Sequence, residues 1–555
     1  MKDRTIKLAF AAFAISAVTT MASAPAQAGL LYGFEGTSLL DNVPLGNAFR
    51  PPDTMGAVGT TQFLESTNGS YTVYDKNTGA VLQRIGFNPF WATMGLGPVG
   101  VGGDPADTGG PSDGVDGSGG DQRILFDIYT NRWISIGFAA PTGNQIRTLN
   151  IGVSDTSNAM GTWKGTTLTA LPNQPFFTCS GNTARTCIAD YPTLGIDQNG
   201  VYIGTNNFST VNGSGAPANP FQFKGVTLFS IPKTDLFGGA PTVANATRFD
   251  TPYDPFNATP VDNGFAIQGV VNWGGNGNTG NIVADSLYAT DLVVYKVNGT
   301  NAAGATQTAS AYVGGTPYLA NSPGRQPDGT RLVDTLDDRT SSNVYQANGK
   351  LYVVHTVTPL GLDRTVIRWS VIDAATGALI QEGDIGQAGC DYYQGSIAVN
   401  AIHGGLIAYN RSCGPGVLPG NDGRIAFLGQ MVAYLDSGAL YKLDNEMLFR
   451  LSLNDDYHCS ERSFSDPNYV ACRERWGDYS AVTLDPTNPF NFFAIGEYSA
   501  DWASLAPLAN VTRSIWHTYI AAVRVDAPEP SALALIGMAL LSLFGFGLMR
   551  RRADA

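Results

Sequence analysis

The chain is poor in the residues and motifs that announce the common enzyme chemistries. It has four histidines in 555 residues, His355, His403, His458 and His517, and no two share a metal-ligand or triad spacing. No G-x-S-x-G, H-E-x-x-H, P-loop or G-x-G-x-x-G element stands in the context it requires, so the usual nucleophile, zinc and phosphate chemistries have no motif behind them. None of the six cysteines lies in a C-x-x-C, which removes the familiar zinc and redox arrangements. Positive charge is scarce: 33 lysines and arginines face 46 aspartates and glutamates. Residues 1–28 contribute +2 and residues 527–555 contribute +1 to a total of −13, which leaves −16 on the body between them. That balance argues against nucleic acid or anionic lipid as a partner. The body has no sustained i, i+3, i+4, i+7 apolar spacing and no long apolar run, so helices and membrane spans are not expected there.

What the body does have is glycine, 66 in the chain, and a repeated grammar of acid, strand, turn, strand. Asp190-Tyr191-Pro192 leads into Thr193–Asp197, a turn at Asn199-Gly200, and Val201–Asn207. Asp478-Tyr479-Ser480 leads into Ala481–Asp485 and then Phe492–Tyr498. Asp338 and Asp391 open two similar copies, Asp53 and Asp121 two weaker ones, and a copy lacking the acid starts at Gln268. Each interval holds about four strand-sized runs, the content of one four-stranded blade. A lone sheet of this kind cannot bury both faces, whereas blades stacked around an axis bury them against each other. The sequence predicts an all-β chain folded as a β-propeller of seven four-stranded blades, with six or eight also open and a pair of β-sandwiches as the rival.

The two ends read as addresses. Lys2, Arg4 and Lys7 precede the apolar stretch Leu8–Val18 and the small-x-small site Ala26-Gln27-Ala28, so residues 1–28 read as a signal peptide and the mature chain is expected to begin at Gly29. At the other end Pro528-Glu529-Pro530 is followed by an apolar run, Ala532–Met549, long enough for a transmembrane helix, and by Arg550-Arg551-Arg552. This order resembles the PEP-CTERM sorting tail of exported proteins of Gram-negative bacteria. The resemblance implies recognition by an exosortase-type membrane enzyme, a precursor anchored transiently in the inner membrane, and delivery to the cell surface or extracellular matrix. It also implies an association with exopolysaccharide and biofilm. The domain plan is thus 1–28, a propeller body over 29–526, and a sorting tail over 527–555.

Within the body, Pro51-Pro52-Asp53-Thr54 with Gly56-Ala57-Val58-Gly59, Val73-Tyr74-Asp75-Lys76 with Thr78-Gly79, Asp190-Tyr191-Pro192 with Asn206-Asn207-Phe208, and Trp476-Gly477-Asp478-Tyr479-Ser480 form a set. Together they resemble large exported bacterial proteins of sialidase-like β-propeller type, a group without one established activity. Ser154-Asp155-Thr156 with Gly161-Thr162-Trp163 is similar to a degenerate Asp-box, the hairpin marker of such propellers. A sialidase also needs an arginine cluster and a Tyr/Glu pair; Arg339, Arg364, Arg411 and Arg475 with Glu497 and Tyr498 are present, without a spacing that specifies that site.

If every repeat begins its innermost strand at the acid, Asp53, Asp121, Asp190, Asp338, Asp391 and Asp478 crowd one mouth of the central channel. There they could hold a ligand or a hard cation such as Ca2+, or simply cap turns. Asp104, Asp107, Asp113 and Asp116 form a second acidic, glycine-rich loop able to wrap Ca2+ or to serve as a solvated insertion. Trp91, Trp273, Trp476 and Trp502 are candidates either for stacking on sugars or for blade packing. In an oxidising compartment the nearest-neighbour disulfide candidates among 15 connectivities are Cys179 with Cys187, Cys390 with Cys413, and Cys459 with Cys472. The functional expectation is a binding or scaffold module of surface polysaccharide. A glycosidase or lyase using the mouth acids, with Asp478 and Glu497 as one pair, and a protein–protein platform remain as alternatives.

Overall fold

The computed structural model describes residues 29–46, 51–96, 120–138, 148–170, 187–211, 217–257, 260–275, 277–329, 332–402, 404–420, 422–434, 440–442, 446–456, 476–500 and 514–525. The signal-peptide residues 1–28, the sorting tail with Pro528, Glu529, Pro530 and Arg550–Arg552, and the acidic loop Asp104–Asp116 lie outside them. Among the described residues no helix is long and apolar enough to cross a membrane.

Alternating strands and tight turns build seven sheets, antiparallel except where Val271–Asn272 joins the inner edge of the fifth in parallel, and the inner strands of consecutive sheets touch around a full ring. Blade 1 runs Met55–Val58, Gln62–Thr67, Ser70–Asp75 and Val81–Gly86 from the axis outward. Blade 2 runs Arg123–Asp127, Arg132–Phe138, Thr148–Ser154 and Trp163–Thr169. Blade 3 begins with Cys187–Ile196 and blade 4 with Phe265–Gly269. Blade 5 begins with Tyr345–Ala347 and blade 6 with Cys390–Val399. Blade 7 takes Ala481–Leu484, Asn491–Ala500 and Ile515–Arg524 from the end of the chain, and its outermost strand, Gly29–Ser38, from the beginning. Five of the predicted repeat starts fall within three residues of the head of an inner strand, Gln268 falls inside Phe265–Gly269 and Asp338 seven residues before Tyr345, and the predicted seven four-stranded blades hold. Short helices at Leu39–Asn42, Phe87–Ala92 and Lys233–Phe237 are the additions the β pattern did not foresee.

The core lies between blades. Leu64, Tyr71 and Trp91 of blade 1 pack on Ile124, Phe126 and Trp133 of blade 2, for example. Backbones meet where blades 3 and 4 touch: a Cβ added at Gly195 would lie 2.1 Å from the carbonyl oxygen of Gly269.

Of the three expected disulfides, one is seen. Cys390 is joined to Cys413, which faces it across the first two strands of blade 6. The expected bridge from Cys179 to Cys187 is not seen, because Cys179 and the side chain of Cys187 lie outside the described residues. The expected bridge from Cys459 to Cys472 is not seen either: Cys459 lies outside the described residues, and Cys472 lies outside them too.

Every inner strand runs the same way along the axis, so the ring has two distinct faces. The far face carries the turns after the inner strands, and aspartates close them: Asp127 accepts from the amides of Tyr129 and Thr130, Asp197 from those of Asn199 and Gly200, and Asp485 from that of Thr487. Lysines following the third strands reach back to these turns from the next blade. Lys233 Nζ lies 2.6 Å from Asp127, and Lys76 Nζ 2.8 Å from Asp485. Gly29 pairs with Arg524 at this same far face.

Candidate functional site

The opposite face, where inner strands begin, is built on a repeated kink. Asp53, Asp121, Tyr191, Ala266 and Gln394 all adopt positive φ, between 47° and 56°, at the heads of blades 1, 2, 3, 4 and 6. Non-glycine residues avoid this region at a cost of about 1–3 kcal/mol each unless the surroundings enforce it. Here the surroundings do. Two residues beyond the kink, or at the equivalent place, a polar side chain crosses to a carbonyl of the adjoining blade. Arg123 Nε donates to Pro192 O at 2.8 Å and Thr193 Oγ1 to Ile267 O. Gln268 Nε2 donates to Thr340 O at 2.7 Å, Ser342 Oγ to Gly395 O at 2.9 Å, and Ser480 Oγ to Gln394 O at 2.7 Å. These bonds stitch blades 2 to 7 together around the axis.

On this ring four of the six predicted mouth acids come together. Asp53 accepts from the Asp478 amide at 3.0 Å and from Asn68 Nδ2 at 2.5 Å, while the other end of that amide, Asn68 Oδ1, accepts from the Asp121 amide at 3.1 Å. Burial, then the neighbouring Asp53, Asp190 and Asp478, push the Asp121 carboxyl well above the usual carboxylate range, and Asp53 and Asp121 share a hydrogen bond. Glu497 lies behind them, 1% exposed, accepting from the Gly477 amide at 3.1 Å. Burial and the Asp53 charge raise its pKa well above normal as well. Carboxyls crowded in low dielectric cannot all ionise together.

Beside the acids stands a stack of guanidinium and phenol groups. Arg123, 1% exposed, lies 3.8 Å from the Tyr479 ring centre, and the Tyr191 and Tyr479 rings sit 4.8 Å apart. Arg339 covers Tyr191 at 4.2 Å and forks onto Asp337 with contacts of 2.5 and 2.7 Å. The hydroxyls of Tyr191 and Tyr479 are buried and find no hydrogen-bond partner among the described residues. For Tyr479, burial and then the Asp121 charge lift the phenol far above its normal pKa.

The other two predicted acids go elsewhere. Asp338 joins a cluster between blades 4 and 5, where His355 Nδ1 lies 3.0 Å from Asp285 Oδ1 and 3.0 Å from the Asp338 carbonyl oxygen. Burial alone would lower the His355 pKa, but Asp285 and Asp338 raise it overall; burial and Asp285 raise that of Asp338. A cleft lined by Tyr318, His355, Arg368 and Glu382 opens beside this cluster. Asp391, itself buried, instead pairs with the partly exposed Arg325 at 2.8 Å and accepts from the Thr365 amide. The linear repeat could not separate these cases, because Arg325 and Asp285 lie 66 and 70 residues from the groups they bind.

Several further expectations change. Among the described residues no group of three or more His, Cys, Asp or Glu side chains is arranged to hold a metal ion. Asp53 already spends both oxygens on Asn68 and Asp478. Trp91 and Trp476 are fully buried, so packing and not sugar stacking is their role; Trp273 is half-buried against Tyr129 at the far end of the channel, and Trp502 lies outside the described residues. Arg411 pairs with Glu446 and Tyr498 with Glu35, so these members of the arginine and Tyr/Glu set do not converge. The Asp-box-like hairpin is structural: Ser154 Oγ accepts from the Trp133 amide, and Trp163 Nε1 donates to Ala159 O. Val73-Tyr74-Asp75 with Thr78-Gly79 is likewise a hairpin, and Asp373 with Thr376-Gly377 repeats it in blade 5.

No family model and no curated protein matches the chain. Among solved structures it is similar to a protein of unknown function from Dyadobacter fermentans, at 11% identity and TM-score 0.38, over 73% of this chain and 94% of that one. It is also similar to the α-L-arabinofuranosidase Arb93A of Fusarium graminearum in complex with an iminosugar inhibitor, at 11% identity and TM-score 0.32, over 73% and 92%. The third is Trypanosoma rangeli sialidase in complex with sialic acid, at 11% identity and TM-score 0.30, over 75% and 55%.

Proposed function

We propose that this is an exported surface propeller whose acidic mouth binds glycan, delivered by its signal peptide and its PEP-CTERM-like tail with the help of an exosortase-type enzyme. The observation that carries this reading is the gathering of Asp53, Asp121, Asp190 and Asp478 beside the Tyr191–Tyr479 stack. Carboxyl oxygens accept from sugar hydroxyls. Exopolysaccharide is the ligand the sorting tail brings into range. The purified chain should co-elute with the producer's own polysaccharide in size-exclusion chromatography with light scattering, and Asp478→Asn should weaken that association without unfolding the protein. Separate elution of wild-type protein and polysaccharide would remove the reading.

One observation favours hydrolysis as a second reading. Burial, with Asp53, Asp190 and Asp478 nearby, holds the Asp121 proton to higher pH than in an ordinary aspartate, as a general acid requires. Shortening of the polysaccharide during incubation, abolished by Asp121→Asn, is the outcome that would establish it.

A further inference from the structure

The signal-peptide and sorting-tail segments join the body at one rim. Gly29 pairs with Arg524, and residues 526–555 continue from Val525 beside it, both at the far face. Six residues, 526–531, separate Val525 from the apolar run that starts at Ala532. Even fully extended, such a spacer reaches no farther than about 25 Å. A body of about 500 residues has a radius of gyration of about 23 Å. A tether that short keeps this rim, and not the opposite face, next to a bilayer that holds the tail.

The same rim is apolar. Leu30 and Leu31 of the outer strand of blade 7, with Val81 and Leu82 at the start of the outer strand of blade 1, are between 43% and 51% exposed. They flank one contact between the two blades, where Tyr32 OH donates to Lys76 O at 2.6 Å and Gly79 packs against the Phe34 ring. Ile128 and Tyr129, on the blade 2 turn of the same face, are exposed as well, and Tyr129 leans on Trp273. Charge is withdrawn from this face: Asp127, Asp197 and Asp485 are buried on turn amides, two of them also on lysines. Asp75, half-buried beside Val81, spends an oxygen on the amides of Asn77 and Thr78. Grouped apolar side chains mark an interaction surface, and amphipathic aromatics beside them suit the boundary between lipid and water.

Resting on the reading of residues 527–555 as a membrane-held tail, we propose that the rim formed by Leu30, Leu31, Val81 and Leu82 seats the propeller on the bilayer, far face down, while the precursor is anchored. The contact is with lipid, through apolar side chains entering the headgroup region, and needs no anionic headgroup.

The test uses the full chain reconstituted in zwitterionic phosphatidylcholine vesicles brominated on the acyl chains close to the headgroups. A fluorescent amino acid replaces Val81 or, at the near-face end of the second strand of blade 5, the exposed Leu360. The probe at position 81 should lose about half or more of its fluorescence relative to unbrominated vesicles, as expected for a side chain settled at the headgroup–acyl boundary. The probe at position 360 should lose none. Added salt should leave the loss unchanged, since no attraction between charges holds the contact. Flotation of the chain with the vesicles without quenching at 81, or with equal quenching at both positions, would overturn the seating while leaving the tail reading standing. Failure to float would remove the tail reading and this inference with it. Leu30→Glu combined with Leu82→Glu separates apolar contact from tethering. Both positions are exposed, so the melting temperature should not move while quenching at 81 falls to the level at 360. Quenching that persists in this variant would mean that the tether alone brings the rim close, and would overturn the apolar contact.

Discussion

The two ends of the channel use the same residue type to opposite effect. At the far face Asp127 and Asp485 sit on turn amides and on buried lysines, and Asp197 on turn amides and the Tyr202 hydroxyl. At the near face Asp53 and Asp121 sit on positive-φ kinks, Asp190 precedes the kink at Tyr191, and Asp478, on a segment without one, donates its amide to Asp53; burial and then these neighbours raise the protonation of Asp121. The first ring is what stability alone would select. The second is held in place by inter-blade bonds against its own repulsion, and departures of that kind collect at functional sites. Burial and acidity do not distinguish the two rings; buried lysines sit on Asp127 and Asp485 of the far ring, whereas at the near ring Asp121 is buried in the field of other acids.

The comparison can be broken most readily at the far face. Lys233→Met leaves Asp127 buried without its cation and should cost about 3–5 kcal/mol in chemical denaturation, with much of that recovered when Asp127→Leu is added. A loss below about 1 kcal/mol would mean that the far ring is no better satisfied than the near one. At the near face the sign reverses: Asp121→Asn should raise the melting temperature at neutral pH, because it removes a proton-holding acid from a crowd of its own kind.

The pH dependence sharpens the same contrast. Asp121 and the buried Glu65, which accepts from Thr37, Tyr74 and Thr518, have pKa values raised chiefly by burial. A carboxyl raised in the folded state binds a proton that the unfolded chain has released, so its contribution to stability is lost as pH rises from the ordinary carboxylate value through the folded one. Stability should therefore decline from mildly acid to neutral pH, with a shallower slope in Asp121→Asn. Asp373 behaves oppositely. Hydrogen bonds from the Thr376 amide and hydroxyl hold it at about 2, so its contribution is lost as pH falls toward that value. Asp373→Ala should cost about 1 kcal/mol, the smallest of these effects, and only above that range.

Much of the fold was legible in the sequence because a blade repeats locally: an acid, two short strands and a turn such as Asn199-Gly200 occupy consecutive residues. The site was legible only in part. Asp53, Asp121, Asp190 and Asp478 share a place in the repeat and a place in space. Asp391 shares only the former, since Arg325, on a different segment, draws it into an ion pair. Arg123, Tyr191 and Tyr479 come from blades 2, 3 and 7, and nothing along the chain marks their stacking. His355 stands alone by spacing because Asp285 belongs to the preceding blade. Sequence proximity did find the Cys390–Cys413 bridge, because a hairpin brings neighbouring cysteines face to face. A kink at a non-glycine residue leaves no such local signature, as its cause is the hydrogen bonding of the blade beside it.

The closing strand has a mechanical consequence. Ile515–Arg524 is not the edge of its sheet: Asn491–Ala500 flanks it on one side and Gly29–Ser38 on the other. Tension applied at Val525 along that strand loads two hydrogen-bonded ladders at once, in shear, where an edge strand would be resisted by one. The load also enters at the far face, so a propeller held by this end stands with its acidic opening turned away from the point of attachment.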